Sequence, residues 1–546
     1  MARIGDVLIS RALINDRQLK IALIQHKITG DPLGATLIDL GFVSSAELGR
    51  SLAQQAGMEY VDLDAYVIDE SALRVIPKEL AEKIAFIPLD IDHGVLSIGV
   101  ADPNNVLAID TVSKITGHVP KVYVIDADSF RDSLERAYYF FHNPIEYGIT
   151  SIVDQIKRTG IATGSAVTEL TDLIIMDGIR KRATDIHINP APIVFRIFYR
   201  IDGVLQYGCC VPKTALSGVI SRIKVLSQLD IAEQRLPKDG SFRSTVMNRN
   251  YDFRVSTIPT VYGENVVMRI LSGSTSLQRI DTLGFDTAAI GKIKALFRKL
   301  SGIILISGPT GSGKTTTMYA ALREIDVLER NVITIENPVE YKFSLLTQTE
   351  VNEKAGYDFA LAGRNFMRQD PDVILLGEIR DEETARMAIR ASITGHLVLS
   401  TLHTNDAVTA IPRLIDLHVD RFLMSSSLLA VIAQRLLRKI CVYCKKEYRL
   451  NEEELAAFKG TGTTRSVAFK GSGCPKCNGT GYLGRTVISE ILVIDDDMRE
   501  MIYEGASITS LKVVALKKGM VPLIESARRK AAEGITTFDE AFRAAG

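Results

Sequence analysis

Gly308-Pro309-Thr310-Gly311-Ser312-Gly313-Lys314-Thr315 is the stretch on which the reading of the fold turns. It meets the GxxxxGK[ST] spacing of a phosphate-binding loop at every required position. The apolar run Ile303-Ile304-Leu305-Ile306 precedes it, and Thr316-Thr317-Met318-Tyr319-Ala320-Ala321-Leu322-Arg323 follows with the composition of a helix. Glycines let the backbone curl around a phosphate chain, and the N–H groups at the helix start, as far as Thr316, point at the anion. Lys314 is then expected to reach the β- and γ-phosphates of a nucleotide, and the Thr315 hydroxyl to ligate magnesium.

Three further strand-like runs surround this motif. Val373-Ile374-Leu375-Leu376 reads as a buried parallel strand, with Gly377 and then the acid Glu378 just past its end. A carboxylate in that place holds magnesium or the attacking water in nucleoside triphosphatases. Val332-Ile333-Thr334-Ile335 runs into Glu336, with Glu340 four residues on. Either acid can serve as the base for the water; Glu336, which directly ends the strand, is the expected one. Leu397-Val398-Leu399-Ser400 is bracketed by His396 and His403, both expected to sense phosphate or meet a neighbouring subunit. Strand–helix alternation from about residue 280 predicts an α/β core: a mainly parallel sheet with helices on both faces. Phe422 to Leu437 reads as a buried helix.

With 546 residues the chain has room for three or four domains. Lys+Arg and Asp+Glu balance at 65 each, so there is no global attraction for a polyanion and no nucleic-acid partner is expected. The first residues lack a basic region followed by an apolar core, and no apolar run reaches membrane-spanning length, so a cytoplasmic protein is expected. Cys441-x-x-Cys444 and Cys474-x-x-Cys477 have the spacing of a four-thiolate structural zinc site.

The N-terminal region repeats itself with an offset of 29 positions: Arg3-Ile4-Gly5-Asp6-Val7-Leu8-Ile9 recurs as Pro32-Leu33-Gly34-Ala35-Thr36-Leu37-Ile38. Asn15 with Gln18, and Ser44 with Glu47, carry capping-box spacing, so each copy is a short helix, a turn and a longer helix. The expected domains are 1–142 (helical repeat and small α/β unit), a linker at 143–167, an arginine-rich α/β middle domain at 168–277, and the ATPase-like core at 278–546 with a zinc module at 441–477. In the middle domain, Arg254 and Arg269 stand in strand-like runs, where a guanidinium needs either an internal carboxylate or an external anion.

Taken together, the phosphate loop, ITIENPVE, LLGEIRD, TGHLVLSTLHTNDA and the two CxxC pairs resemble the secretion ATPase superfamily, within it the type II secretion and type IV pilus assembly ATPases. The resemblance runs from about residue 170 to the C-terminus. It implies a RecA-like core and a homohexameric ATPase using Mg²⁺ and ATP, with Zn²⁺ as a structural ion. It also implies peripheral attachment to the inner membrane through a platform protein and a cytoplasmic docking protein. Arg254 and Arg269 fall where that family places arginines that reach the γ-phosphate. The N-terminal repeat resembles a cyclic di-GMP-binding domain, which implies roles for Arg3, Gly5, Leu8, Gly34 and Leu37. Asn337 and Asn189 stand where the family has Asp and Glu, and Pro32 where an arginine or lysine would help. Two other classes of function share parts of this pattern: a nucleic-acid motor on the same core, and a nucleotide-gated scaffold that does not hydrolyse.

Overall fold

Successive residues of the strand Gly302–Ser307 face two different cores. Ile303 and Leu305 join a buried cluster with Ile374, Leu376, Val398 and Leu402. Ile304 and Ile306 join a second cluster with Phe297, Met318, Leu399 and Ile432. A strand covered on both faces has no polar side to show, hence the unbroken apolar runs in the sequence. The computed structural model describes residues 3–247, 249–272, 278–452, 454–455 and 467–545. Two units divide the chain: Met1–Ile28 with Val43–Ser276, and Thr29–Phe42 with Leu277–Gly546.

The second unit is built on a seven-stranded sheet in the order Thr347–Glu350, Val332–Glu336, Val373–Leu376, Leu397–Leu402, Gly302–Ser307, Leu428–Ile440, Tyr482–Val493. All neighbours pair in parallel except the last two strands, which are antiparallel. Thr287–Phe297 and Lys314–Leu322 cover one face; Phe359–Phe366 and Glu382–Ile393 cover the other. The α/β core expected from the sequence is present. One element differs. Phe422 to Leu437 is not a helix: Arg421–Ser427 is a seven-residue helix capped by Asp420, and Leu428–Ile440 is a thirteen-residue strand. Continuous apolar character suits a buried strand as well as a buried helix, and Ala430 to Ala433 are paired on both sides.

In the first unit, the middle part is a six-stranded antiparallel sheet in the order Val204–Pro212, Val194–Ile201, Asp185–Pro190, Gly263–Ser272, Arg249–Thr260, Lys238–Val246. Helices Ile145–Thr159, Gly164–Arg180 and Leu216–Leu226 pack on one face of it. The first of these corrects the expected linker at 143–167. Ile145, Ile149, Ile152, Val153 and Ile156 form a buried stripe at helical spacing, and Gly160 ends the helix in the left-handed conformation.

Residues 59–124 form a four-stranded sheet, Glu59–Tyr60, Val119–Val124, Val95–Val100, Phe86–Asp92. The repeats are the helices Ile4–Ser10, Asp16–Thr29, Leu33–Asp39 and Ser45–Ala56. Both capping boxes form. Asn15 N donates to Gln18 Oε1 at 2.9 Å and Gln18 N to Asn15 Oδ1 at 2.8 Å. Ser44 and Glu47 make the reciprocal pair in the second copy.

Candidate nucleotide site and metal centre

The strand Gly302–Ser307 delivers the chain to the loop, and Gly313 turns it into the helix Lys314–Leu322 with φ +86°. Gly308, at φ +151°, has no room for a side chain: a Cβ there would lie 2.5 Å from Ser312 Oγ and 2.6 Å from the Gln434 carbonyl oxygen. Lys314 folds back over the loop, its Nζ donating to the carbonyls of Gly308 at 2.7 Å and Pro309 at 3.1 Å. Burial lowers the Lys314 ammonium to about 8; Glu378 opposes this and Arg435 adds to it. It remains largely protonated at pH 7, and an arriving phosphate would stabilise that charge further. Thr315 and Thr316 are exposed at the helix start, as are Pro309, Thr310 and Gly311, while Ser312 is buried.

Glu378 stands beside Lys314, mostly buried, its carboxylate 2.5 Å from the Arg380 guanidinium and 3.8 Å from His403 Nε2. The sequence pattern therefore assembles Lys314, Glu378 and His403 at one sheet edge. Burial holds the His403 imidazole below its usual range, with Lys314 adding to the effect, so it is neutral at pH 7. His396 is a correction. It precedes the strand Leu397–Leu402, at the opposite edge of the sheet, where its Nδ1 lies 2.8 Å from the Ala391 carbonyl oxygen. A strand that length spans about 20 Å, so His396 does not reach the phosphate loop of its own chain.

Glu336 is enclosed. Tyr319 OH donates to one carboxylate oxygen; Thr334 Oγ1 at 2.7 Å and Gln348 Nε2 at 3.2 Å donate to the other. The Tyr319 hydroxyl in turn accepts from the backbone N–H of Glu340 at 3.1 Å and of Tyr341 at 3.3 Å. Glu336 thus pins the following loop through Tyr319. Glu340 is exposed on that loop. Sequence reasoning did not find Tyr319 or Gln348: the first lies among helix-forming residues, and the second on a strand, Thr347–Glu350, too polar to declare itself.

The four cysteines converge. Cys441 and Cys474 sulfurs are 3.8 Å apart, Cys444 and Cys477 3.9 Å, Cys474 and Cys477 3.7 Å. All four lie within 4.8 Å of one another. A zinc–sulfur distance of about 2.3 Å gives a tetrahedron with edges of about 3.8 Å, so the donor set fits that ion. Cys474 N and Gly481 N each donate to Cys477 Sγ at 3.2 Å; against the effect of burial, they hold this thiol down to about 7.

With these sites in place, comparison with known proteins is direct. The family described as Type II/IV secretion system protein matches residues 162–543. The chain belongs to this family. An MshEN domain matches residues 56–143. The type IV pilus assembly ATPase PilB of Myxococcus xanthus is 36% identical over 553 aligned positions, covering 98% of this chain and 98% of that protein. Type II secretion system protein E of Xanthomonas campestris is 36% identical over 557 positions, covering 99% and 98%. Among solved structures, the ATPase DotB of Legionella pneumophila superposes with a TM-score of 0.50 at 21% identity, over 68% of this chain and 94% of DotB. The last shares the RecA-like fold. The chain is a secretion-family ATPase.

Two outlying sets of residues complete the inventory of this ATPase. Arg254 and Arg269 are directly opposite each other on neighbouring antiparallel strands. Arg269 is tied to the buried carboxylate of Asp185 at 3.0 Å, which Arg200 also approaches at 3.6 Å. Among the described residues Arg254 has no carboxylate partner: Asp252 pairs with Arg243 at 2.7 Å and Glu264 with Lys224 at 2.6 Å. In the N-terminal repeat Arg3 is exposed and Gly34 half-buried, but Leu8 and Leu37 have no exposed surface and Gly5 is closed over by Leu19. Leu8 and Leu37 are core residues that shape the repeat. No helix among the described residues is long and apolar enough to cross a membrane.

Proposed function

We propose that the chain is a magnesium-dependent, homohexameric motor on the cytoplasmic face of an envelope machine, where ATP hydrolysis drives assembly of a pilus or a secretion pseudopilus. The observation that carries this is the phosphate loop with Lys314, Glu378 and His403 gathered at its mouth, in a chain that aligns end to end with pilus assembly and type II secretion ATPases. Lys314 leaves the Gly308 and Pro309 carbonyls for the β/γ-phosphates. Thr315 and Glu378 would hold magnesium, which would supply positive charge for phosphoryl transfer. His403, neutral and beside Glu378, reports on the γ-phosphate. Glu336 already accepts from three donors, which makes it an anchor for the loop; Glu340, exposed on that loop, is the base for the attacking water. Arg254 and Arg269 supply positive charge to the γ-phosphate, the role that the family resemblance implies for them. The test is turnover of the purified chain with Mg-ATP, read with oligomeric state. A monomer that hydrolyses no ATP would overturn the reading.

Zinc fits the four thiolates and leaves no open coordination position, so its role is to fold the module rather than to catalyse. Cys441→Ser is expected to lower bound zinc well below one ion per chain and to reduce the melting temperature. Elemental analysis of wild type showing no zinc, with unchanged melting in the variant, would exclude the site.

The resemblance of the N-terminal repeat supports binding of cyclic di-GMP, with exposed Arg3 as a cation for the ligand; the MshEN match follows it at residues 56–143. Titration of the full chain should show saturable binding, weakened about tenfold or more by Arg3→Ala, the order of a charge-assisted contact. No heat change and no thermal shift at saturating ligand would leave these helices as a docking element alone.

A further inference from the structure

Three buried polar atoms lie beneath the phosphate loop without a hydrogen-bond partner among the described residues: Ser307 Oγ, Ser312 Oγ and Gln434 Oε1. Buried groups of this kind are costly, and their clustering under one loop points to a built arrangement. Gln434 is the residue that organises it. It is fully buried on the strand Leu428–Ile440, one position beyond the pairing of Ala433 with Ser307, so it lies alongside Gly308. Its Nε2 donates to the Ser312 carbonyl oxygen at 2.8 Å. The same nitrogen would lie 3.3 Å from a Cβ on Gly313, and the Gln434 carbonyl oxygen 2.6 Å from one on Gly308. The side-chain amide thus lies against Gly313, and the backbone carbonyl of the same residue against Gly308.

We propose that Gln434 is a positioning residue that holds the Ser312–Gly313 peptide in its anion-binding orientation. A trans peptide is planar, with C=O and N–H pointing in opposite directions. Fixing the Ser312 carbonyl inward on Gln434 therefore turns the Gly313 N–H outward, to the side where phosphate binds. Nothing local enforces that choice, since Gly313 is free to rotate. A flipped peptide would place a carbonyl oxygen in the phosphate cradle and repel the ligand. Gln434 touches neither nucleotide nor water; it acts through the loop.

This rests on the reading that the loop binds nucleotide phosphates, which ADP binding by wild type tests on its own. Gln434→Leu keeps the volume and removes the donor. Its Kd for ADP and KM for ATP should rise about tenfold, the worth of one lost hydrogen bond to a group that must be held. Its kcat at saturating ATP should stay within about twofold, since bound nucleotide re-forms the cradle. Gln434→Glu supplies a second readout. Its carboxylate cannot donate to the Ser312 carbonyl, but its protonated form can. The affinity of that variant for ADP, relative to wild type at each pH, should therefore recover on going from pH 8 to pH 6. Unchanged KM and Kd in Gln434→Leu overturn the proposal, whether or not its melting temperature falls. Should that variant fail to fold, a flat relative affinity across pH in Gln434→Glu overturns it as well.

Discussion

Lys314→Ala and Glu378→Gln are each expected to lower ATP turnover roughly a hundredfold or more, the cost of removing one preorganised charge from a phosphoryl-transfer site. The two variants fail for different reasons. Lys314 is the cation of the loop and answers the β-phosphate that ADP also carries, so ADP binding should weaken along with turnover. On the proposed reading Glu378 would act through magnesium, so Glu378→Gln should retain nucleotide while hydrolysing little of it. Extending the comparison to the two loop acids separates their roles. Glu340→Gln should lower kcat with little change in melting temperature, and Glu336→Gln should destabilise the loop, because the amide offers one acceptor oxygen where Tyr319 and Thr334 use two. Steady-state turnover beside thermal melting reads all four. Activity within a few-fold of wild type in Lys314→Ala or Glu378→Gln would sink the assignment.

Arg254→Ala is expected to reduce kcat by two to three orders of magnitude or so, while ADP affinity changes little, because the guanidinium answers charge on the γ-phosphoryl group that ADP lacks. The geometry makes this variant the cleaner of the pair. Like charges directly opposite on neighbouring strands are unfavourable; Asp185 compensates Arg269, and an added anion would compensate Arg254. Removing Arg254 relieves that repulsion and strands no carboxylate, so melting temperature should hold or rise. Arg269→Ala instead leaves the buried Asp185 carboxylate with Arg200 at 3.6 Å as its remaining cation, and melting should fall together with kcat. Unchanged turnover with lowered stability in Arg254→Ala would make it a structural residue.

What the sequence disclosed, it disclosed where one physical demand dominates. The phosphate loop needs glycines, a lysine and a hydroxyl at fixed spacing, and the four-cysteine cluster needs paired thiols; both are local and survive as patterns. The buried strands of the parallel sheet are legible for the same reason, since no polar face interrupts them. Features that depend on tertiary placement were hidden. Leu428–Ile440 resembles a helix until its two neighbours are known, and the stripe of isoleucines from Ile145 to Ile156 is diluted by flanking glycines and threonines. His396 and His403 look equivalent around one strand, yet direction along the strand sends them to opposite edges. The cage around Glu336 joins a helix, two strands and a loop, and no spacing rule announces it.

The strand Leu428–Ile440 has a mechanical consequence. Gln434 lies midway along it, under the phosphate loop, and Cys441 follows its last residue. Seven residues of extended chain make a rod of about 23 Å, stiffened along its length by hydrogen bonds to the neighbouring strand Tyr482–Val493. A tilt of about 5° at the loop end carries the cysteine end by about 2 Å, enough to break or make contacts with whatever rests against it. The phosphate loop and the four-cysteine cluster are thus joined by one continuous strand, so a displacement at either end is passed along the backbone to the other.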